Sequence, residues 1–322
     1  MKRIFISGIS GFIGFHVSLA LKQRGDAVFG CDNFNTYYDP SLKRQRARLL
    51  SEAGISVLDC DIVDKDRLKT ELENLSISHF VHLAAQAGVR HSLKHPESYV
   101  HSNLNGFVQI LEMLRDFSQA KLIYASSSSV YGLNSKVPFS ETDPVEQPAS
   151  FYGATKRCNE LIAHAYHHIH GISCTGLRFF SVYGPWGRPD MAYFSFSKAI
   201  LNEETIPVFG EGKLLRDFTY IDDIIKGTIA AIDHGAANEI FNLGNNSPIS
   251  VLEMISILEA HLGKKAVIAL QPTPPGDIPI TFADISKSQK ILGFEPKTSL
   301  HEGLKKFTDW YLHYTARGLN VK

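Results

Sequence analysis

The sequence predicts an α/β protein, a doubly wound parallel sheet followed by a second, smaller α/β domain. Three observations predict it. Short apolar runs alternate with longer amphipathic stretches through the first half of the chain, the pattern of βαβ units with helices on both sheet faces. A Gly-x-x-Gly-x-x-Gly spacing at Gly8, Gly11 and Gly14 joins the first apolar run to the first helical stretch. The alternation then fails after Tyr183-Gly184-Pro185-Trp186-Gly187-Arg188-Pro189, where Pro, Gly and aromatic residues break the chain into smaller elements.

Taken in order, Arg3–Ser7 is short, apolar and closed by glycine, as a buried strand should be, and Gly14–Arg24 has helical length and period. Ala27–Cys31 and Ser56–Asp59 repeat the strand signal. Lys65–Asn74 is helical, with Asp64 placed as its N-cap. His79–Leu83 is the fourth strand, Tyr99–Phe117 a helix with Asn103 as an early cap, and Lys121–Ser126 the fifth strand. Tyr152–His170 is the next helix and Ser173–Leu177 the sixth strand. Past the break, Glu239–Gly244 again reads as a buried strand. The expected division is 1–181 for the first domain, with 236–247 returning to it, and 182–322 for a discontinuous second one.

With 322 residues, 44% of them hydrophobic, the chain can bury a large core. Lys+Arg and Asp+Glu both number 33, so no overall field favours nucleic acid or an anionic membrane, and anionic ligands must be caught locally. Cys31, Cys60, Cys158 and Cys174 form no Cys-x-x-Cys pair, which fits reduced thiols in a cytoplasmic protein and implies no metal site. Met1-Lys2-Arg3 before Ile4-Phe5-Ile6 has the look of a leader, but glycines interrupt the run and no Ala-x-Ala follows, so secretion is not expected. No run is long enough to span a membrane. His164, His167, His168 and His170 are the densest histidine group; their helix is expected to face solvent or a second subunit, not a metal.

Gly8, Gly11 and Gly14, with Phe12 and Ile13 between them, stand at a strand-to-helix turn, where backbone N–H groups and a helix N-terminus can approach a pyrophosphate. Asp32, 18 residues beyond Gly14 at the end of the second strand, suits the adenine-ribose hydroxyls and disfavours a 2′-phosphate. NAD is therefore expected over NADP, although Lys43 and Arg44 lie nearby, and Asp32 could instead hold the following turn with Asn33. Asp61 and Ile62 are candidates to flank adenine. Tyr152 and Lys156 stand four residues apart on a helical face, so an ammonium can lower the phenol pKa from about 10 toward neutrality and make a base for alcohol oxidation.

The segments Asp32-Asn33-Phe34-Asn35-Thr36-Tyr37-Tyr38-Asp39, His82-Leu83-Ala84-Ala85-Gln86-Ala87-Gly88-Val89-Arg90 and Arg178 to Met191 are more selective than either general motif. With them the chain resembles the extended short-chain dehydrogenase/reductases of the nucleotide-sugar type, most closely the UDP-glucuronate 4-epimerases. The resemblance implies a Rossmann-type domain with NAD as the catalytic cofactor. It assigns Leu83, Ala84 and Ala85 to the cofactor, and Gln86 and Arg90 to the substrate. In Ala125-Ser126-Ser127-Ser128-Ser129-Val130-Tyr131-Gly132 it makes Ser127 the catalytic serine, with the register uncertain by one. Val208 and Phe209 are implied to flank uracil, Arg216 to bind diphosphate, and Asp277 to bind the uridine ribose. A surface ion pair of Arg216 with Asp217 is the plainer alternative. A homodimer built on the helices around Asn103–Phe117 and Tyr152–His170 is also implied.

The reaction implied is removal of the C4-hydroxyl proton by Tyr152, with Lys156 and Ser127 assisting, as C4 is oxidised to a 4-keto sugar and then reduced from its other face. A 4-keto uronate loses carbon dioxide readily, so its carboxylate must be held out of alignment; Ser126, Ser128 and Ser181, with Arg188 nearby, are expected to hold it. Ser181 stands where related hexose epimerases usually carry Asn, which favours an acidic sugar. Ser129 stands where decarboxylase and dehydratase relatives carry an acid, which favours epimerisation. A 4-epimerase of a neutral or N-acetylated UDP-hexose, and an NAD-binding sensor without chemistry, stay open as alternatives.

Overall fold

The computed structural model describes residues 1–117, 119–273 and 278–316. Its strands in chain order are β1 (Arg3–Ser7), β2 (Ala27–Asp32), β3 (Ser56–Asp59), β4 (His79–His82), β5 (Lys121–Ser127), β6 (Cys174–Phe179), β7 (Ser181–Tyr183), β8 (Thr205–Phe209), β9 (Leu215–Tyr220), β10 (Asn238–Leu243), β11 (Pro248–Ser250), β12 (Val267–Gln271) and β13 (Ile280–Thr281). Seven of them form one parallel sheet in the order β10-β6-β5-β4-β1-β2-β3. The winding reverses between β1 and β4, so the loops that leave those two strands part and open a crevice at the carboxyl edge.

Side chains of β1 show why both faces are buried. Ile4 and Ile6 point into one apolar cluster, with Phe15, Leu21, Ile224 and Phe241, while Phe5 points into the other, with Phe80, Leu68, Phe107 and Ala163. Alternate residues thus enter opposite cores, and the strand reads as a continuous apolar run. Ser7 pairs with Cys31 on one side and His82 on the other, which brings the three strand ends level at the crevice.

β10 joins this sheet at its edge, parallel to β6, with Asn238 opposite Cys174 and Leu243 opposite Phe179. β9 is the centre of a smaller sheet with β7, β11 and β13, and β8 pairs with β12. Among the described residues no helix is long and apolar enough to cross a membrane.

Two local expectations differ from the structure. The stretch expected as one helix from Tyr99 is broken: Pro96–Tyr99 leads into a wider π-helical turn, Val100–Asn105, before the helix Gly106–Leu114. Asn103 therefore lies inside a helical segment and is not a cap. Its amide accepts from Gln86 N at 2.8 Å and donates to Gln86 O and Thr155 Oγ1, each at 3.0 Å, so a tertiary bond claims the group that capping would have used. The helix Pro40–Glu52 was not expected, although Asp39 caps it through Ser41 N and Pro40 opens it. Asp64 does cap its helix, accepting from Arg67 N.

Candidate active site

The crevice draws its walls from the ends of β1 to β6. At its floor, Gly8 N and Ile9 N donate to Cys31 O at 2.8 and 3.1 Å, which turns the chain sharply away from β1. Gly8 has φ +71°, and a Cβ there would lie 2.7 Å from Ala84 N, so only glycine lets the two loops touch. The helix Phe12–Gln23 follows, and no side chain caps it. Its first N–H groups face the crevice, an arrangement suited to phosphate oxygens.

Asp32 is buried at the end of β2, where Oδ1 accepts from Phe34 N at 2.9 Å and Oδ2 from Ser10 N at 3.2 Å. It thus holds the turn as well as lining the crevice. Burial raises its pKa, and Lys43, 4.0 Å away, opposes that rise. Asn33 lines the crevice and donates to Asp61 Oδ2 at 2.8 Å; Ile62 lies in the wall and Asp61 just behind it. Leu83, Ala84, Ala85 and Gln86 form the wall after β4. The glycine cradle and the carboxylate at the strand end fit a dinucleotide.

Tyr152, Lys156, Ser126 and Ser127 meet at the other end of this crevice. Tyr152 occupies the first turn of the helix Phe151–His170. Ser150 caps that helix through Gly153 N at 3.0 Å, and Ser92 Oγ accepts from Tyr152 N at 3.2 Å. A Cβ on Gly153 would come within 2.5 Å of the Ser129 carbonyl oxygen, so this glycine lets the helix start lie against the serine run. Burial raises the phenol pKa, while the Ser127 hydroxyl and the charge of Arg188 oppose the rise. Lys156, four residues on in the same helix, donates from Nζ to Ala125 O at 2.8 Å, and Arg188, which the pairing of Tyr152 with Lys156 had left out, is a second cation near the phenol. Burial lowers the Lys156 pKa to about 8 against the opposing charge of Glu160.

Ser126 also differs from expectation. Its Oγ donates to Glu160 Oε1 at 2.6 Å. A hydroxyl has one proton, so the Ser126 oxygen can only accept from a ligand, and it is not a donor for a substrate carboxylate. Glu160 further accepts from Arg178 Nε at 2.8 Å, Arg178 Nη2 at 2.9 Å and Arg157 Nη1 at 3.1 Å. Neither Ser128, in the short turn Ser128–Tyr131, nor Ser181, at the start of β7 opposite Phe218, is among the residues lining the crevice.

Arg188 does line it, and so do Tyr37, Tyr38, Lys43, Ser102, Phe179, Phe180, Val182 and Met191, which the sequence reading had not assigned to the site. Tyr37 and Tyr38 sit inside one of the selective segments, which was the available signal. Glu160 lies four residues beyond Lys156 on the same helical face and could have been found that way. Arg90 stacks its guanidinium 4.5 Å over the ring of Phe209 from the second half of the chain, joining two expected substrate residues. Val208 is wholly buried in the core. Arg216 Nη1 donates to Leu215 O at 2.9 Å. Asp217 is no surface partner for it: Asp217 is buried and accepts from Asn245 N, Asn246 N and Ala283 N. Asp277 lies outside the described residues. Among the described residues, no group of three or more His, Cys, Asp or Glu could hold a metal.

Residues 4–244 match the NAD dependent epimerase/dehydratase family. UDP-glucuronate 4-epimerase 4 of Arabidopsis thaliana is 53% identical over 97% of this chain and 75% of its own length. Protein CapI of Staphylococcus aureus is 42% identical over 97% of this chain and 99% of its own length. Among solved structures, UDP-glucuronic acid 4-epimerase from Bacillus cereus, in complex with UDP-glucuronic acid and NAD, superposes with a TM-score of 0.89 at 36% identity, covering 96% of this chain and 99% of that one.

Proposed function

From the premise that this chain belongs to the NAD dependent epimerase/dehydratase family, we propose that it interconverts UDP-glucuronate and UDP-galacturonate by epimerisation at C4. One observation carries the reading: Tyr152, Ser127 and Arg188 share a crevice with the glycine cradle and Asp32. That arrangement puts a base for a sugar hydroxyl and a cation for an acid beside a dinucleotide site.

NAD, held by the turn Gly8–Gly14, Asp32 and the wall Leu83–Ala85, supplies when bound the acceptor and donor of the C4 hydride, so net oxidation is zero. Tyr152 takes the O4 proton when C4 becomes a ketone and returns it when the ketone is reduced. Ser127 bonds O4 and the phenol and so keeps the proton path short. Lys156 adds positive charge that favours the phenolate, and its ammonium would hold the nicotinamide ribose when NAD is bound. The 4-keto sugar turns its other face between the two half-reactions, and the C4 configuration inverts.

The substrate grip is assigned to Gln86, Arg90, Phe209 and Arg216, with Asp277 on the uridine ribose, and the division of the chain at 181 with return of 236–247 follows the same reading. Ser126 is withdrawn as a carboxylate donor; Arg188 takes that role. Incubating the purified protein with UDP-glucuronate and UDP-glucose separately, with products followed by proton NMR, tests the proposal. UDP-galacturonate from the acid alone is expected. A pentose product would move the reading to decarboxylation, and turnover of glucose alone would refute the acid preference. Tyr152→Phe should lose turnover by about 10²–10⁴-fold and keep NAD, which also separates an enzyme from a sensor.

Leu161 and Ile169 are exposed on the helix Phe151–His170, and Val100 is exposed beside it. We assign this face to a homodimer. Leu161→Asp should then give a monomer by light scattering. All four cysteines are free, which agrees with a cytoplasmic location.

A further inference from the structure

Arg188 is fixed within the crevice. Nε donates to Asp190 Oδ1 at 3.0 Å and Nη2 to Asp190 Oδ2 at 2.7 Å, a two-point fork. Nη2 also reaches Met191 Sδ at 3.9 Å. Asp190 Oδ2 accepts in addition from the Tyr37 hydroxyl at 3.0 Å. Tyr37 arrives from the segment after β2, and its ring packs against His91 with centroids 4.7 Å apart. Arg188 and Tyr37 line the crevice, whereas Asp190 stands behind them.

A guanidinium carries five N–H groups, and this geometry commits Nε and Nη2 while leaving the two N–H groups of Nη1 for a ligand. We propose that Asp190, braced by Tyr37, is the positioning residue that aims the Nη1 edge of Arg188 at the substrate carboxylate, and that this brace sets the preference for an acidic sugar over a neutral one. The proposal rests on the substrate reading above. The carboxylate of Asp190 sits on the far edge of the guanidinium, so an incoming anion is repelled from that edge and accepted at the other. A fixed edge also fixes the torsion of the C5–C6 bond. A swinging arginine would bind the acid while letting C6 rotate into line with the C4 carbonyl, the geometry that releases carbon dioxide.

The test measures calorimetric binding of UDP-glucuronate and UDP-glucose to the full chain carrying Tyr152→Phe, alone and with Asp190→Asn or Tyr37→Phe, and carbon dioxide release by the same two substitutions with Tyr152 intact. Asp190→Asn is expected to lose about tenfold in affinity for the acid, as loss of a charge-assisted bond predicts, to leave UDP-glucose unchanged, and to release carbon dioxide. Tyr37→Phe keeps the ring packing and should shift the same ratio by a smaller factor; it carries the test if Asp190→Asn does not fold. An unchanged ratio of acid to neutral affinity in folded variants, or equal loss for both sugars, overturns the brace and leaves the substrate reading intact. Absence of any acid preference in the parent overturns both.

Discussion

The Ser126 hydroxyl donates to Glu160 Oε1 at 2.6 Å, and this bond ties the floor of the crevice to a buried ionic network. Arg178 forks onto the same carboxylate and lies 4.8 Å from the Tyr131 ring, whose hydroxyl reaches Asn242 Oδ1 at 2.7 Å. Glu160→Gln leaves Arg178 buried without its counter-ion and should cost about 3–5 kcal/mol. Ser126→Ala, which leaves the ion pair whole, should cost about 1 kcal/mol. Denaturant unfolding of the two variants checks the difference.

Lys156 makes activity and stability respond to pH in opposite directions. Burial holds its pKa near 8, below the ordinary 10.5, and the charge of Glu160 works against that fall. Turnover should decline on the alkaline side as the ammonium is lost near pH 8, and Glu160→Gln should move that limb to lower pH. For stability the sign is reversed. A lysine whose folded pKa is depressed contributes stability present above 10.5 and lost as pH falls through about 8. Lys156→Met should therefore be inactive yet more stable at pH 7, by on the order of 1–3 kcal/mol; paired melts at pH 7 and pH 10 measure it.

Arg46 is wholly buried and holds together the two sides of the crevice. Nη1 donates to Ser10 O and Tyr38 Oη, each at 3.0 Å, and Nη2 to Gly187 O at 3.0 Å and to Trp186 O. Lysine can bond only part of this set. Arg46→Lys should lose about 2–4 kcal/mol and retain less NAD on purification, because Ser10 lies within the glycine turn. Calorimetric melting and the absorbance of released cofactor are the measurements.

His82 is fully buried at the end of β4, with Nδ1 2.7 Å from Ser7 Oγ. Burial, with the nearby charge of Lys156, lowers its pKa from 6.5 to about 3. A histidine depressed in this way contributes stability present above 6.5 and lost as pH falls toward 3. The protein should destabilise progressively through that window, and His82→Gln should flatten the dependence; melting temperatures from pH 7 to pH 4 give the comparison.

What could be read along the chain was what local chemistry controls. Arg3–Ser7 and Ser56–Asp59 were placed to the residue, because apolar runs closed by glycine or acid leave few alternatives. Asp64 was found as a cap because its bond is to a residue three positions on. Gly8, Tyr152 and Lys156 were legible as lining one crevice because each belongs to a short local spacing.

Tertiary structure decided the remainder. Asn103 looked like a cap until Gln86 and Thr155 claimed its amide, and Ser126 looked like a ligand donor until its hydroxyl was found donating to Glu160. Tyr152 and Lys156 were paired by their spacing, but Arg188, 36 residues past Tyr152, reaches the phenol as a further cation only through the fold. A side chain has a limited number of protons and lone pairs. Sequence specifies which groups are present and roughly where the helices and strands run, whereas the partner each group spends itself on depends on which distant segments the sheet order brings within three ångströms.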